Sequence, residues 1–365
     1  MSLPIAIVLP DLGGGGAQKV MLTLAGGLDR QLFSPRIIVL GGSRRFAHEV
    51  PAGVPLDMGE APRIRDGIPW LLRRLRESRP ATVISVMGYL NLALLACKPL
   101  LPGATRLIVR EANTAASTTD ALPRWLPARG LYRALYPRAD AIVCPSQPIA
   151  EELQSMAPSV RGLLAVIANP VDVDTLRRRA LPIRRTPGVG LRLVAVGRLT
   201  RQKGLDRLVE ILPLLPHDLH LDVLGDGAER PGLEARLAAL GLSERVTFHG
   251  FTTYAASWIA GADALVLPSR WEGLPNVVLE SLALGTPVVA SDEANVAEVA
   301  ARAVAGCVAI TSVERGFQAA IRALGCNPPP RISPRTNLLP LAYGKEEIIA
   351  RWQDLLINTT AAPSN

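Results

Sequence analysis

One pattern constrains this chain more than any other: short apolar runs that alternate with helical segments. Ile5-Ala-Ile-Val-Leu9 is closed by Pro10, too short for an ordinary helix, and reads as a buried strand. Gly13 to Gly16 make a turn, and Gln18 to Leu28 carries helical periodicity. The pattern recurs. Strands are expected at Pro35–Leu40, Ala81–Val86, Leu107–Arg110 and Ala141–Cys144, with an amphipathic helix over Ile68–Ser78 and a basic, proline-broken helical stretch before the last strand. Such alternation requires a parallel sheet covered on both faces, so the fold class is α/β.

The alternation breaks once and restarts. Arg177 to Gly190 is charged, bears Pro and Gly, and lacks periodicity, so it reads as a linker. Strands are then expected at Leu193–Val196, Leu219–Leu224, Val246–Phe248, Ala264–Leu267 and Pro287–Ala290. Helices are expected within Gly204–Leu215, Arg230–Leu240, Tyr254–Ala260 and Asn276–Leu284. The 365 residues thus divide into an N-terminal domain over 1–176, a linker over 177–190, and a C-terminal domain over 191–340. A helix over 341–357 is expected to pack back on the first domain, and 358–365 form a tail.

Composition excludes several classes. The apolar, aromatic-poor balance suits a packed protein rather than a disordered one. Cys97, Cys144, Cys307 and Cys326 are too scattered for a zinc or redox pair. The first residues lack a basic n-region, and no apolar run reaches membrane-span length, so a cytoplasmic chain is expected. The net charge is +8, and it is concentrated: Ala61 to Arg138 holds thirteen basic residues against four acids, more than the whole excess. That stretch lacks the interleaved aromatics of a base-stacking platform, which disfavours nucleic acid.

Three loops carry chemistry. Gly13–Gly16 joins a strand to a helix start, where adjacent glycines and free N–H groups suit an anion. The loop fits neither the P-loop pattern nor a full dinucleotide fingerprint, and a purely structural turn remains open on this ground. Gly197-Arg-Leu-Thr-Arg-Gln-Lys-Gly204 follows a strand at the ligand-binding end of an open sheet. Its Arg198 and Lys203 suit a diphosphate, with a solvated basic turn as the alternative. Pro268 to Ser281 places Glu272 in a loop and Glu280 on the following helix, with Pro275 at the helix start and Gly273, Leu274, Asn276 and Val277 around it. Carboxylates there suit sugar and ribose hydroxyls; the alternatives are a helix-end charge and a solvated helix residue.

Together these motifs resemble the retaining glycosyltransferases of family 4, of the bacterial polysaccharide and lipopolysaccharide type. The matching residues are Gly15-Gly-Ala-Gln18, Asn169-Pro-Val-Asp172, Gly197-Arg198, Lys203-Gly204, Gly225-Asp-Gly227, Phe248-His-Gly250, Glu272 with Glu280, and Gly285-Thr-Pro-Val288. The resemblance implies a GT-B fold, two Rossmann-like domains whose parallel sheets face across a cleft. It implies that Gly15 and Gly16 approach the donor diphosphate and that Arg198 and Lys203 grip it. Glu272 would contact the donor sugar, Glu280 the ribose, and Phe251 would flank the base. No metal or other cofactor is expected, and Asp172-Val-Asp174 is read as structural. The donor is expected to be a UDP-sugar carrying a hexose or N-acetylhexosamine, and the acceptor a glycan or a lipid-linked glycan.

Two departures stand out. The stretch that would hold an acceptor-side histidine reads Arg110-Glu-Ala-Asn113, so Arg110 and Asn113 are the acceptor-side candidates. Ser291 to Glu298 lacks the usual glycine pair. A sugar-nucleotide-binding protein without catalysis is the competing reading. A dinucleotide oxidoreductase lacks its third glycine and its ribose acid. The basic stretch also suggests peripheral docking on the anionic inner face of a membrane. Trp70, Leu71, Leu72, Leu75, Trp125, Leu126, Leu131, Tyr132, Leu135 and Tyr136 would enter the headgroup layer beside Arg73, Arg74, Arg76, Arg124, Arg129, Arg133 and Arg138.

Overall fold

Alternation decides the first sheet. Ile5, Ile7 and Leu9 of β1 (Leu3–Leu9) turn to one face, Ala6 and Val8 to the other, and all five are buried. The structure, a computed structural model, describes residues 2–114, 128–181, 190–326 and 334–361. Chain contacts divide it into two units, Met1–Pro170 with Lys345–Asn365, and Val171–Gly344.

In the first unit β1 is followed by α1 (Gly16–Gly27), β2 (Phe33–Gly41), β3 (Leu56–Ala61), α2 (Ile64–Ser78) and β4 (Thr82–Val86). Then come α3 (Gly88–Ala96), β5 (Arg106–Arg110), α4 (Ala128–Leu135), β6 (Ala141–Cys144), α5 (Gln147–Met156) and β7 (Leu164–Val166). The seven strands are parallel, in the order β3-β2-β1-β4-β5-β6-β7. One face packs Ala6, Val8 and Ile38 against Leu71 and Leu75 of α2 and Leu94 of α3. The other packs Ile5, Ile7 and Leu9 against Met21 and Leu24 of α1 and against Ile348, Trp352 and Leu356 near the C-terminus.

The second unit holds α6 (Val173–Arg179), β8 (Arg192–Val196), α7 (Leu205–Ile211), β9 (His220–Leu224), α8 (Arg230–Ala239), β10 (Val246–Gly250) and α9 (Ala255–Gly261). It continues with β11 (Ala264–Leu267), α10 (Asn276–Ala283), β12 (Val288–Ala290), α11 (Ala297–Arg302), β13 (Val308–Ile310) and α12 (Phe317–Cys326). Its six strands are again parallel, in the order β10-β9-β8-β11-β12-β13. The last helix, α13 (Lys345–Ala361), belongs to the first unit; Arg351 Nη2 donates to the Val166 carbonyl at 2.6 Å and the Gln353 side-chain oxygen accepts from Asp29 N at 2.8 Å.

The division falls earlier than the sequence reading put it. Asp172 caps α6, its carboxylate accepting from Thr175 N at 2.9 Å. Arg177 on that helix donates to the carbonyls of Ala283 at 2.8 Å and Arg335 at 2.5 Å, both in the second unit. Arg177–Arg179 are therefore helix of the second unit rather than linker, and residues 182–189 lie outside the described residues. Likewise 341–344 stay with the second unit and only the helix beyond them joins the first.

The apolar groups assigned to a headgroup layer are core instead. Leu71, Leu72, Leu75, Tyr132 and Tyr136 are buried, and Trp70, Leu131 and Leu135 pack against them. Half of an amphipathic helix must be covered, and here the sheet covers it. Arg73, Arg76, Arg129, Arg133 and Arg138 remain exposed, while Arg74 is held by Asp57 and Glu77 at 2.8 and 2.6 Å. Arg124, Trp125 and Leu126 lie outside the described residues. No described helix is long and apolar enough to cross a membrane.

Candidate active site

Strand order reverses between β8 and β11 in the second unit, and open α/β sheets bind ligands at the carboxyl ends of the strands at such a reversal. Two loops meet there. After β8 the chain runs Gly197 to Lys203 and turns at Gly204, whose φ of +63° is left-handed and whose Cβ, were there one, would collide with the Pro268 carbonyl. Only glycine closes that turn against the second loop, Pro268–Pro275, which follows β11.

The result is a direct pair. Lys203 Nζ lies 2.6 Å from Glu272 Oε1, with the two side chains 20% and 7% exposed. Ser269 Oγ donates to the same oxygen at 2.8 Å, and Gln202 Nε2 reaches Glu272 Oε2 at 3.3 Å and the Trp271 carbonyl at 3.0 Å. Asn295 Nδ2 donates to the Glu272 main-chain carbonyl at 2.5 Å. Glu272 is therefore fixed at both ends. A second bridge ties the same loops, since Arg270 pairs with Asp206 at 2.6 Å and Arg270 N donates to the Gln202 carbonyl at 2.8 Å.

The other candidates surround this pair without joining it. Arg198 is exposed on the β8 loop and forms no ion pair among the described residues. Gly273, Leu274 and Pro275 are buried, and Asn276 and Val277, half-buried, begin α10. Glu280 lies half-buried in the middle of α10. Phe251 is 45% exposed just past β10, and Tyr254, three residues on, is 70% exposed. Gln202, Ser269 and Asn295 were not singled out from the sequence. The first two lie inside loops that were; Asn295 lies in the stretch noted for lacking glycines, and its φ of +53° is one that asparagine tolerates.

On the first unit, Gly13–Gly16 forms a turn at the start of α1. Gly13 N donates to Asp11 Oδ1 at 2.6 Å, and Gly14 has a φ of +95° with the Phe46 ring filling the space a side chain would need. Gly15 and Gly16 are exposed, Gly15 as the residue that precedes the helix. At the end of β5, Arg110 is 1% exposed and donates from Nη2 to Asn169 Oδ1 at 2.5 Å. Its Nε and Nη1 are buried without a hydrogen-bond partner, and burial lowers its pKa to about 10. Glu111, also 1% exposed, accepts from Tyr136 Oη and from Asn91 Nδ2, and burial raises its pKa to about 7. Arg110 is thus buried and tied to Asn169. Asn113 is half-buried, its side-chain oxygen accepting from Thr114 N at 2.9 Å.

No described group of three or more His, Cys, Asp or Glu side chains could hold a metal ion. His220 and His249 flank Asp222, with His249 Nε2 at 2.7 Å and Arg192 Nε at 2.5 Å from its carboxylate, a polar band on the sheet rather than a ligand set.

Two family models cover the chain in succession. Residues 14–175 match "Glycosyltransferase Family 4" and residues 190–327 match "Glycosyl transferases group 1". This chain belongs to the family 4 glycosyltransferases. It is 29% identical over 269 residues to the lipopolysaccharide core biosynthesis glycosyltransferase LpsE of Rhizobium meliloti, covering 69% of this chain and 75% of that one. It is 25% identical over 308 residues to an N-acetylgalactosaminyltransferase of Campylobacter jejuni whose named substrate is a diphospho-undecaprenol glycan, covering 79% and 80%. The fold matches HepE of Anabaena, crystallised with UDP and glucose, with a TM-score of 0.70 at 16% identity, over 98% of this chain and 97% of that one. The two parallel sheets with alternating helices are those of GT-B glycosyltransferases. The pair Lys203–Glu272 lies within residues 190–327, the stretch matched by the second of these family models.

Proposed function

We propose that this glycosyltransferase moves a hexose or N-acetylhexosamine from a UDP-sugar, with retention of anomeric configuration, to a lipid-linked or polysaccharide acceptor in bacterial surface glycan synthesis. The observation that carries this reading is the Lys203–Glu272 pair at the strand reversal of the second unit. A lysine with a carboxylate at that edge offers a cation to the leaving diphosphate and an acceptor to donor-sugar hydroxyls. Arg198 adds a second cation on the same loop. Glu280 is assigned to the ribose, Phe251 to one side of the base, and the Gly273–Val277 segment to the sugar and phosphate at the helix start. On the first unit, Gly15 and Gly16 offer an anion-binding turn, and Asn113 with the Arg110–Asn169 strut is assigned to the acceptor side. UDP is favoured by HepE's bound ligand, and a lipid-diphosphate acceptor by the Campylobacter jejuni relative's name.

Lysine and arginine supply the charge that a divalent ion supplies elsewhere, so activity is expected to persist in excess chelator. Loss there would return attention to Asp174, since Asp172 is engaged as a helix cap. The exposed arginines Arg73, Arg76, Arg129, Arg133 and Arg138 are assigned to electrostatic docking on an anionic membrane, each contributing about 1 kcal/mol near such a surface. Flotation with anionic vesicles at low salt tests that; absence of binding removes it. The donor is tested by thermal shift with UDP, GDP and ADP, because a ligand of the native state raises its stability. UDP is expected to give the largest shift, followed by UDP release from UDP-hexoses in the presence of lipid-linked acceptor. No shift with any of the three nucleotides overturns the reading, and shift without turnover leaves a binding protein in its place.

A further inference from the structure

We propose that Asn295 is a positioning residue for the donor-sugar carboxylate, a role the sequence does not announce; this rests on the reading of Glu272 as the group that contacts the donor sugar. Asn295 ends the short turn Asp292–Ala294 that follows β12 and has φ +53°, ψ +41°. Only three described non-glycine residues have positive φ, Arg79, Met87 and Asn295. A backbone held in that region carries strain unless something in the surroundings fixes it. At Asn295 the fixing contact is its own side chain, whose Nδ2 donates to the Glu272 carbonyl at 2.5 Å. The same turn holds the other end of the loop. Buried Ser291 donates from Oγ to the Ser269 carbonyl at 2.5 Å, and Ser291 N donates to the Leu267 carbonyl at 2.9 Å. Ser269 in turn donates from its hydroxyl to Glu272 Oε1.

The segment 269–272 is thus clasped from outside at its first and last carbonyls, while its carboxylate is held from inside by Lys203, Ser269 and Gln202. Four side-chain donors converge on one acidic residue and its main chain. Three of them, Lys203, Ser269 and Gln202, act on the carboxylate itself, and a sugar hydroxyl can compete with them. Asn295 acts on the carbonyl, where substrate does not compete, so it keeps Glu272 in place when the carboxylate changes partners. A glycine would satisfy the backbone of this turn equally well; the amide is what glycine lacks.

Two substitutions separate the amide from the turn. Asn295→Gly keeps the left-handed backbone and removes the donor. Asn295→Asp keeps size and tolerance of that backbone, but sets a carboxylate against the Glu272 carbonyl. A role confined to the turn ranks glycine at or above wild type and aspartate beside it. Positioning ranks wild type above glycine and glycine above aspartate. The assays are hydrogen exchange of the 268–275 segment in the ligand-free protein, and UDP release from UDP-glucose, UDP-galactose and UDP-N-acetylglucosamine with Glu272→Ala as control. The expected result is faster exchange in that segment for both variants, and a kcat about tenfold lower for Asn295→Gly with donor KM within about twofold. Wild-type exchange and wild-type kcat in both variants, with Glu272→Ala impaired, overturns the inference and leaves the Glu272 reading standing. Undiminished turnover in Glu272→Ala removes that reading, and the inference with it.

Discussion

Each unit places a cation and a carboxylate at the carboxyl ends of its strands, and the two pairs behave as opposites. In the second unit Lys203 and Glu272 touch each other across 2.6 Å, the lysine side chain 20% exposed and the carboxylate buried. In the first, Arg110 and Glu111 are adjacent in sequence and 1% exposed, yet each turns to neutral partners, Arg110 to Asn169 through Nη2 alone and Glu111 to Tyr136 and Asn91. Burial therefore drives the first pair toward its uncharged forms, lowering Arg110 and raising Glu111. Identical charge types at equivalent ends of a sheet thus form a direct ion pair in one unit and separate, neutrally partnered groups in the other.

Substitution tests that contrast most sharply at the second pair. Lys203→Ala and Glu272→Ala are each expected to lower kcat about 100- to 1,000-fold, the cost of removing one preorganised group from a developing charge. Steady-state turnover checks this, and near-normal kcat in both would place the second pair beside the first as framework. Glu111→Ala is expected to act on stability. It strands the Tyr136 hydroxyl, about 1–3 kcal/mol for a buried donor left unpaired, while the Asn91 amide keeps its bond to the Arg110 carbonyl at 3.0 Å. Its urea midpoint should fall while donor KM stays near wild type; a raised donor KM at full stability contradicts the framework role.

The buried carboxyl also sets a pH dependence. Glu111 has its folded pKa raised from the usual 4.5 to about 7, so the folded state holds a proton that the unfolded chain has released. Its contribution is complete below about pH 4.5 and is lost as pH rises to about 7, by roughly 3 kcal/mol over that interval. Glu111→Gln keeps the acceptor and cannot ionise. The difference in unfolding free energy between this variant and wild type should grow in the variant's favour from pH 5 to pH 7.5. A constant difference would show that Glu111 stays ionised in the fold. The smallest effect is expected at Glu280, where Ala should raise donor KM about tenfold with kcat little changed, the loss of one charge-assisted hydrogen bond in the ground state. A pure kcat effect would move Glu280 to the reacting sugar.

The interior strands were legible in the sequence, and several edges were not. β1, β2 and β4–β6 of the first sheet, and β8, β9, β11 and β12 of the second, are buried on both faces and read as apolar runs. The strands that escaped notice, β3, β7 and β13, are edges. β3 reads Leu-Asp-Met-Gly-Glu-Ala, where polar residues dilute the apolar signal, and β7 and β13, though apolar, are only three half-buried residues each, too short to stand out as runs. The linker was misplaced because Arg177–Arg179 look solvated in sequence, whereas Arg177 spends its guanidinium on two carbonyls of its own unit. In the site, Lys203 and Glu272 were legible because each stands in a loop after a strand. Asn295 was not, because its contact joins residues 23 apart and depends on a backbone angle that sequence does not print.

The ends of the second unit have a consequence for how such a chain can be cut and rejoined. Val171 N donates to the Tyr343 carbonyl at 3.1 Å, and Val171 and Gly344 are bridge partners. The first and last residues of that unit therefore lie side by side, and Pro170 before them and Lys345 after them are each one Cα step of about 3.8 Å away. In genetic terms residues 171–344 form a cassette inserted into a host whose own ends lie outside it, with entry and exit through one narrow port. Exchanging the second unit with that of a relative thus asks for two splice points a single β-bridge apart, rather than two junctions on distant surfaces, and neither cut breaks a strand of either sheet.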